Sequence, residues 1–307
     1  MVIESLLMDK QSEVNGVSII IPAYNEEQAI GDVLKRLNQV MGKSRFQYEI
    51  IVVDDGSEDN TVEIAKKVKC VNVLSHKSNR GYGAAIKTGA CHAQYNLICI
   101  TDADGTYPND KIPDMIENLV NGKYDMVVGA RIGDNVAIPF IRRPAKWFIG
   151  KIANLVAGEV IPDINSGLRL IKRSLLMRFY HLLPDSFSLT TTITLAMVVN
   201  GYLIDFIQIG YYPRIGKSKI KPVRDTLNFV LLILRIALYF APLKIFLPLS
   251  MFFLFIAVIW GVLSRLILGH LADISTLVMV ITAIQIAVVG LLAELIDRRL
   301  PNYYKDE

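Results

Sequence analysis

Cysteine and histidine are scarce in this chain: three and four residues in a length of 307. Cys70, Cys91 and Cys99 show no metal-ligand spacing, which leaves no sequence basis for a zinc centre. They read as small buried hydrophobes in a reducing compartment. His76, His92, His181 and His270 form no pairing pattern and receive no role. A dominant charge is missing too. Lys and Arg number 33 against 29 Asp and Glu, and a net charge of +4 argues by itself neither for nucleic acid nor against it. The N-terminal stretch MVIESLLMDKQSEVNG is acidic rather than basic-then-apolar, so the domain after it is expected on the cytosolic side. No internal repeat or low-complexity segment is visible.

Apolar sequence is what the chain has in excess. Hydrophobic residues make up 52% and the mean hydropathy is +0.38, with the surplus concentrated towards the C-terminal end. Residues 246–263 are almost uninterrupted apolar sequence, and 274–292 are broken only by Ser275, Thr276, Thr282 and Gln285. Each run is about long enough to cross a hydrocarbon core of ~30 Å. The short loop over 264–273 makes them a hairpin. Lys217, Lys219, Lys221 and Arg224 precede it and Arg298, Arg299 and Lys305 follow it, so the positive-inside rule puts both flanks in the cytoplasm. Two basic amphipathic stretches, 140–157 with Trp147 and Phe148 and 221–242 with Arg224 and Arg235, have the pattern of helices that lie along a membrane surface. Packing on the sheet with a solvated basic face is the alternative for both.

The first two thirds alternate. Strands are expected over 17–22, 48–54, 71–74, 97–100 and 126–131. Helices are expected from Asn25 to about Val40, where Ile30, Val33, Leu34 and Leu37 have helical spacing, and over 61–68 and 83–93. This order means an α/β domain with a largely parallel sheet. The resulting division is an extension (1–16), an α/β domain (17–220), a juxtamembrane helix (221–242), two transmembrane helices (243–296) and a cytosolic tail (297–307).

One stretch organises the chemistry. The apolar run Leu97 to Ile100 leads directly into Asp102-Ala103-Asp104 and the Gly105 turn. Carboxylates at i and i+2 where a strand ends can face the crevice in which open α/β sheets bind ligands. Such a pair suits Mg²⁺ or Mn²⁺ bridging phosphate oxygens. A turn stabilised by Asp and Gly alone is the plainer reading. Pro22 and Tyr24, after the first strand, can form a flat wall for a base, and Glu26 can accept ribose hydroxyls. Asp54 can accept from a ring N–H of uracil or guanine; a plain turn with a helix cap is the alternative for 54–57 and the reading for Asp55 and Ser57. Residues 79–83 offer backbone N–H groups before a helix N-terminus, a natural phosphate neighbour, with a simple loop as the equal alternative.

Six motifs taken together resemble a known group. Pro22-Ala-Tyr-Asn-Glu26, Val53-Asp-Asp-Gly-Ser57, Asn79-Arg-Gly-Tyr-Gly83 and Asp102-Ala-Asp104 follow the order of the family 2 (GT-A fold) glycosyltransferases. Asp163-Ile-Asn-Ser-Gly-Leu-Arg169 and Arg214-Ile-Gly-Lys-Ser-Lys219 are similar to the polyprenyl-phosphate branch, which includes dolichol-phosphate mannose synthase and bacterial polyprenyl-phosphate glucosyltransferases. The resemblance implies a Rossmann-like GT-A domain, a nucleotide-sugar donor, a polyprenyl phosphate acceptor in a plasma membrane, and Mg²⁺ or Mn²⁺. It implies nucleotide-sugar contacts at Pro22, Tyr24, Glu26, Val52, Asp54, Gly83, Lys87, Asp102, Ala103 and Asp104. Metal binding falls to Asp102, Asp104 and Thr106, where Thr106 stands in place of the glutamine of many mannose synthases. A hydroxyl is a poorer ligand, so water would complete the shell. Lipid-phosphate contacts fall to Arg131, Arg143, Ser166, Arg214, Ser218 and Lys219, and the catalytic set is Asp102, Asp104, Arg131 and Arg214.

The acceptor phosphate is already largely anionic at neutral pH, so its oxygen can attack the sugar directly and Glu159 and Asp163 are unnecessary as bases. The sugar stays open among glucose, mannose and N-acetylglucosamine. No nucleic-acid partner is expected, and the two helices could pair chains into a homo-oligomer. A processive polysaccharide synthase is the competing enzyme, although no Gln-x-x-Arg-Trp motif is present. A non-catalytic binder of nucleotide-sugar or lipid is the competing non-enzyme.

Overall fold

The computed structural model describes residues 16–132, 158, 160–212, 238, 242–268 and 273–299. Both basic amphipathic stretches lie almost wholly outside these, as do Arg143, Arg214, Ser218 and Lys219. Among the described residues seven strands form one sheet: β1 (Gly16–Ala23), β2 (Gln47–Asp54), β3 (Val71–Ser75), β4 (Leu97–Ile100), β5 (Met126–Ala130), β6 (Arg169–Lys172) and β7 (Ile204–Gln208). Their order is β3-β2-β1-β4-β6-β5-β7. Pairings are parallel except at β6, which runs antiparallel to both β4 and β5. The expected largely parallel sheet is therefore present, with one reversed strand.

Every residue of β1 is buried, as a strand covered on both faces requires. Its side chains alternate. Val17, Ile19 and Ile21 join α1 (Ile30–Met41) and α4 (Ile112–Asn121) in one apolar cluster. Ile20 joins α3 (Tyr82–His92) and α6 (Leu189–Val199) in the other. Gly89 lets α3 close on the sheet, because a β-carbon there would sit 2.5 Å from Ile20 Cγ2. Helices α2 (Thr61–Lys67) and α5 (Arg173–Arg178) complete the layers.

Two expectations need correction. The first helix begins at Ile30 rather than Asn25, because Asn25 adopts a left-handed φ of 52° and the 25–29 segment is a loop. Its side chain and amide are tied to the next turn, with Glu58 N donating to Asn25 Oδ1 (2.8 Å) and Asn25 N donating to Ser57 Oγ (2.8 Å). Of the cysteines only Cys99 is buried; Cys70 and Cys91 are exposed at element ends.

Helices α7 (Leu243–Leu268) and α8 (Asp273–Arg299) form a hairpin. Within them Leu243–Ile267 and Ile274–Ile296 are long and apolar enough to cross a membrane. They pack through small residues: Ala257 and Ala283 are buried, and Gly290 lies where a β-carbon would meet Phe246 at 2.5 Å. Ser250 Oγ donates to Ala283 O (2.7 Å) and Trp260 Nε1 to Ser275 Oγ (2.8 Å) across the pair.

Candidate active site

The sheet order reverses between β1 and β4, since β2 and β3 lie on one side of β1 and β4 on the other. That reversal opens a crevice beyond the strands' carboxyl ends. A cavity of about 330 Å³ occupies it, lined by the loops after β1 and β4, by Asp55 after β2, by Asn79 and Gly81 ahead of α3, and by Tyr82 at its start. Pro22, Tyr24, Glu26, Asp102, Ala103 and Asp104 all line it.

Asp54 ends β2 and Asp55 follows it, and their surroundings differ from those the sequence suggests. Asp54 accepts from Ser57 N at 3.2 and 3.3 Å and closes the turn around Gly56, whose φ is 78°. Asp55 lines the cavity instead. Its Oδ1 accepts from Arg80 N (2.9 Å) and His76 Nδ1 (2.7 Å), and its Oδ2 from Gly81 N (2.7 Å). The backbone N–H groups offered to a phosphate are engaged accordingly, because Gly83 N and Ala84 N donate to Asp185 O at 2.9 and 3.3 Å. Gly83 is required by that contact: a β-carbon would lie 2.2 Å from Pro184 O. Lys87 pairs with Asp185 (2.8 Å), and Val52 is buried in the apolar cluster beneath α1.

At the end of β4, Asp102 accepts from the Tyr82 hydroxyl (2.9 Å). Desolvation and the Asp102 charge push the Tyr82 phenol well above its ordinary pKa, so it stays a donor. Asp104 Oδ1 accepts from Thr106 Oγ1 (2.7 Å) and Thr106 N (3.1 Å). The Thr106 hydroxyl is fully buried and braces the carboxylate from behind rather than lining the cavity. Among the described residues no third His, Cys, Asp or Glu joins these two in a metal-binding group. Two carboxylates beside an open cavity suit Mg²⁺ or Mn²⁺, which complete their shells with water and phosphate oxygens. Gly167 keeps the space clear, since a β-carbon there would stand 2.9 Å from both Asp102 oxygens.

On the β5 side, Arg131 is held by Asp163 in a two-point pair, Nε to Oδ2 at 2.7 Å and Nη2 to Oδ1 at 3.0 Å. Burial alone would raise the Asp163 pKa, but the Arg131 hydrogen bonds and charge more than offset it and hold it below the usual carboxylate range. Burial would likewise lower Arg131, and Asp163 reverses that. The Arg131 guanidinium also stands over the Tyr211 ring, 5.3 Å from its centroid. Tyr211 meets Tyr107 edge-on, and Tyr107 Oη accepts from Gly167 N (2.7 Å). Ser166 is buried with its hydroxyl donating to Gly129 O (2.5 Å), a place in the loop's scaffold rather than on the cavity wall.

Sequence reading passes over several participants. Ser186 and Phe187 line the cavity from a loop about a hundred residues downstream of Tyr82, with the Phe187 and Tyr82 rings stacked at 5.1 Å. The signal was indirect: Gly81 and Gly83 demand a close backbone neighbour without saying which. Arg169, fully buried, donates to Ser166 O, to Thr190 O (2.9 Å) and to Thr194 Oγ1 (3.1 Å). Burial pushes its pKa down to about 10. His76 bridges Asp55 and Thr88 Oγ1 (2.9 Å).

Comparison with known proteins agrees with this geometry. A family model described as "Glycosyl transferase family 2" matches residues 18–179, and one described as "GtrB C-terminal hairpin" matches 241–298. A dolichyl-phosphate hexose transferase of Haloferax volcanii is 30% identical over 207 residues, 67% of this chain and 87% of the relative. An uncharacterized protein of Methanocaldococcus jannaschii is 36% identical over 175 residues, 53% of this chain and 70% of its own. Among solved structures, glucosyl-3-phosphoglycerate synthase from Mycobacterium tuberculosis in complex with UDP superposes with a TM-score of 0.57 at 18% identity, over 72% of this chain and 80% of that one. Mannosyl-3-phosphoglycerate synthase from Rubrobacter xylanophilus gives 0.56 at 19%, over 72% of each. These two establish the fold, a GT-A-like mixed sheet. The chain belongs to glycosyl transferase family 2, with a GtrB-type hairpin following its catalytic domain.

Proposed function

We propose that this glycosyltransferase moves a hexose from a nucleotide-sugar to a polyprenyl phosphate at a membrane surface. The observation that carries the reading is a single cavity lined by both Asp55 and the Asp102/Asp104 pair, large enough for a small-molecule ligand. Asp55 accepts a ring N–H of the base, Pro22 and Tyr24 wall it, and Glu26 takes ribose hydroxyls. Asp102 and Asp104 would hold Mg²⁺ or Mn²⁺, whose chemistry when bound is Lewis-acid stabilisation of a departing nucleoside diphosphate. A Mycobacterium tuberculosis structure of the same fold contains Mn²⁺ and UDP-glucose, which supports that donor chemistry by analogy. Tyr82 keeps Asp102 oriented.

The acceptor side rests on Arg131. Asp163 engages two of its five N–H donors and fixes the plane of the fork, which suits it to orient a phosphate. Arg143, Arg214, Ser218 and Lys219 belong to the same proposal from sequence. The lipid phosphate then attacks the sugar carbon from the face opposite the nucleotide in one displacement, giving a β-linked product from an α-linked donor. The Haloferax volcanii relative, named for dolichyl phosphate and a hexose, supports this acceptor class. The hairpin anchors the enzyme in the bilayer, with the catalytic domain on the cytoplasmic face, and confines the search for acceptor to two dimensions.

The test is a transfer assay on full-length protein in detergent with polyprenyl phosphate and Mg²⁺ or Mn²⁺. UDP-glucose, UDP-N-acetylglucosamine and GDP-mannose are offered separately, with Asp104→Ala as control. Lipid-phosphate sugar formed from one donor and lost in the variant supports the proposal. Absence of product from every donor sinks it.

A further inference from the structure

His76 stands outside the cavity wall yet touches the group that reads the base. It follows β3, its N–H donates to Asp54 O (2.9 Å), and its ring is enclosed between Asp55 and Thr88 of α3. The side chains of His76 and Asp55 are 6% and 5% exposed, so bulk water does not compete for this hydrogen bond. A carboxylate only accepts, so Nδ1 is the donor to Asp55 whatever the charge on the ring.

An ionised carboxylate has about four acceptor sites. Three of those on Asp55 are filled, by His76 Nδ1, Arg80 N and Gly81 N. The two backbone donors come from a loop that also serves the cavity, whereas the His76 donor comes from the residue just after β3 and is anchored at its far side by Thr88. A carboxylate clamped from three directions presents its remaining site as an acceptor in a fixed direction. Its partner must therefore be a donor.

We propose that His76 is a specificity-determining positioning residue. By fixing Asp55, it makes the cavity select a nucleobase with a ring N–H, uracil or guanine, over one with an acceptor nitrogen at that place, such as cytosine. The inference rests on the nucleotide reading of the cavity given above. Without the Nδ1–H donor, the carboxylate regains rotational freedom and a site open to water. Water can then bridge to cytosine as readily as to uracil, and discrimination falls.

The experiment is calorimetric titration of the full chain in detergent, with Mn²⁺, using UDP, GDP and CDP. The unaltered protein should bind UDP or GDP at least about tenfold more tightly than CDP, the scale of one hydrogen bond to a charged group. His76→Leu should bring that ratio close to one by weakening the preferred nucleotide, with KM for the donor rising and kcat at saturation unchanged. His76→Asn, whose amide donates from near the Nδ1 position, should restore most of the ratio. His76→Gln, which carries its amide towards Thr88 instead, should not. An unchanged ratio in folded His76→Leu overturns the proposal. Should that variant fail to fold, equal ratios in the Asn and Gln variants overturn it as well. Equal binding of all three nucleotides by the unaltered protein overturns the role of His76 but leaves the cavity reading standing, whereas binding of none removes the cavity reading itself.

Discussion

Gly167 lies directly against the carboxylate of Asp102: a β-carbon at that position would be 2.9 Å from both carboxylate oxygens. The contact joins two halves of the site that are far apart in sequence. Asp102 lies in the loop after β4, and Gly167 sits in the loop that leads into β6 beside the Arg131–Asp163 pair. The same glycine donates its N–H to Tyr107 Oη, three residues beyond Asp104.

Gly167→Ala should therefore act on Asp102, the carboxylate proposed to hold the metal, rather than on the fold. Asp102 cannot retreat freely, because the Tyr82 hydroxyl holds its Oδ1 at 2.9 Å. A displacement on the ångström scale at a reacting centre costs rate by about a hundredfold. The expected outcome is a drop of that order in transfer, with a raised Mn²⁺ requirement and an unfolding transition close to that of the unaltered protein. Metal titration of the transfer rate is the check.

Asp54 and Asp55 should separate cleanly when each is changed to Asn. At Asp55 three N–H donors converge, and an amide NH₂ there would face a donor. The donor KM should rise tenfold or more, on the scale of about 1.5–3 kcal/mol for a hydrogen bond to a charged group. Asp54→Asn loosens only the turn at Ser57 and should cost about 1 kcal/mol of stability, with donor KM unchanged. Steady-state kinetics and denaturant unfolding of the two variants distinguish these effects.

Adjacent acids of this kind mark the limit of what the sequence tells. The strand ending at Ile100 is legible because a four-residue apolar run marks a buried strand, and the acids that follow it therefore fall at the sheet's carboxyl edge. Which of Asp54 and Asp55 enters the cavity depends on the backbone path through Gly56, at φ 78°, and the residue types do not encode it. The reversed strand β6 escaped for a similar reason: Arg169–Lys172 begins and ends with a basic residue, and its burial comes from neighbours brought in by topology. Phe187 is more than half exposed and sits in a loop, so no periodicity picks it out. The hairpin needed no such context, since its length and composition suffice.

Asp163→Asn should be destabilising with a pH signature. The folded pKa of Asp163 lies below its ordinary value of 3.8 because of Arg131. A depressed carboxylate contributes stability that is in full force above its unfolded pKa and is lost as pH falls through the folded one. Breaking the pair costs about 3 kcal/mol near neutrality, because it strands a mostly buried guanidinium. The stability gap between the two proteins should be widest at neutral pH and narrow below about pH 4. Denaturant unfolding across that range tests the sign. Transfer should fall as well, with the acceptor KM rising as Arg131 loses its orientation.

Arg169 gives the sharpest division between stability and activity. It is fully buried, its donors end on neutral oxygens, and among the described residues no carboxylate lies within ion-pair distance of it. Burial lowers its pKa to about 10, which still leaves it charged at neutral pH. Folding thus carries a desolvation cost at this residue at every pH below about 10. An apolar side chain of similar volume removes that cost, while Ser166 O loses its guanidinium partner at about 1–3 kcal/mol. Thr190 O keeps a partner without the arginine, since Thr194 Oγ1 donates to it at 2.9 Å. Arg169→Met should accordingly stay folded, with stability changed by no more than about 2 kcal/mol in either direction. Ser166 O loses the guanidinium that ties its loop to α6, and Gly167 is then free to shift against Asp102. Transfer should fall by about tenfold or more through kcat, and Arg169→Lys, with one amino group in place of the fork, should recover only part of it. A folded, fully active Arg169→Met protein would show that the loop keeps its place without the buried cation.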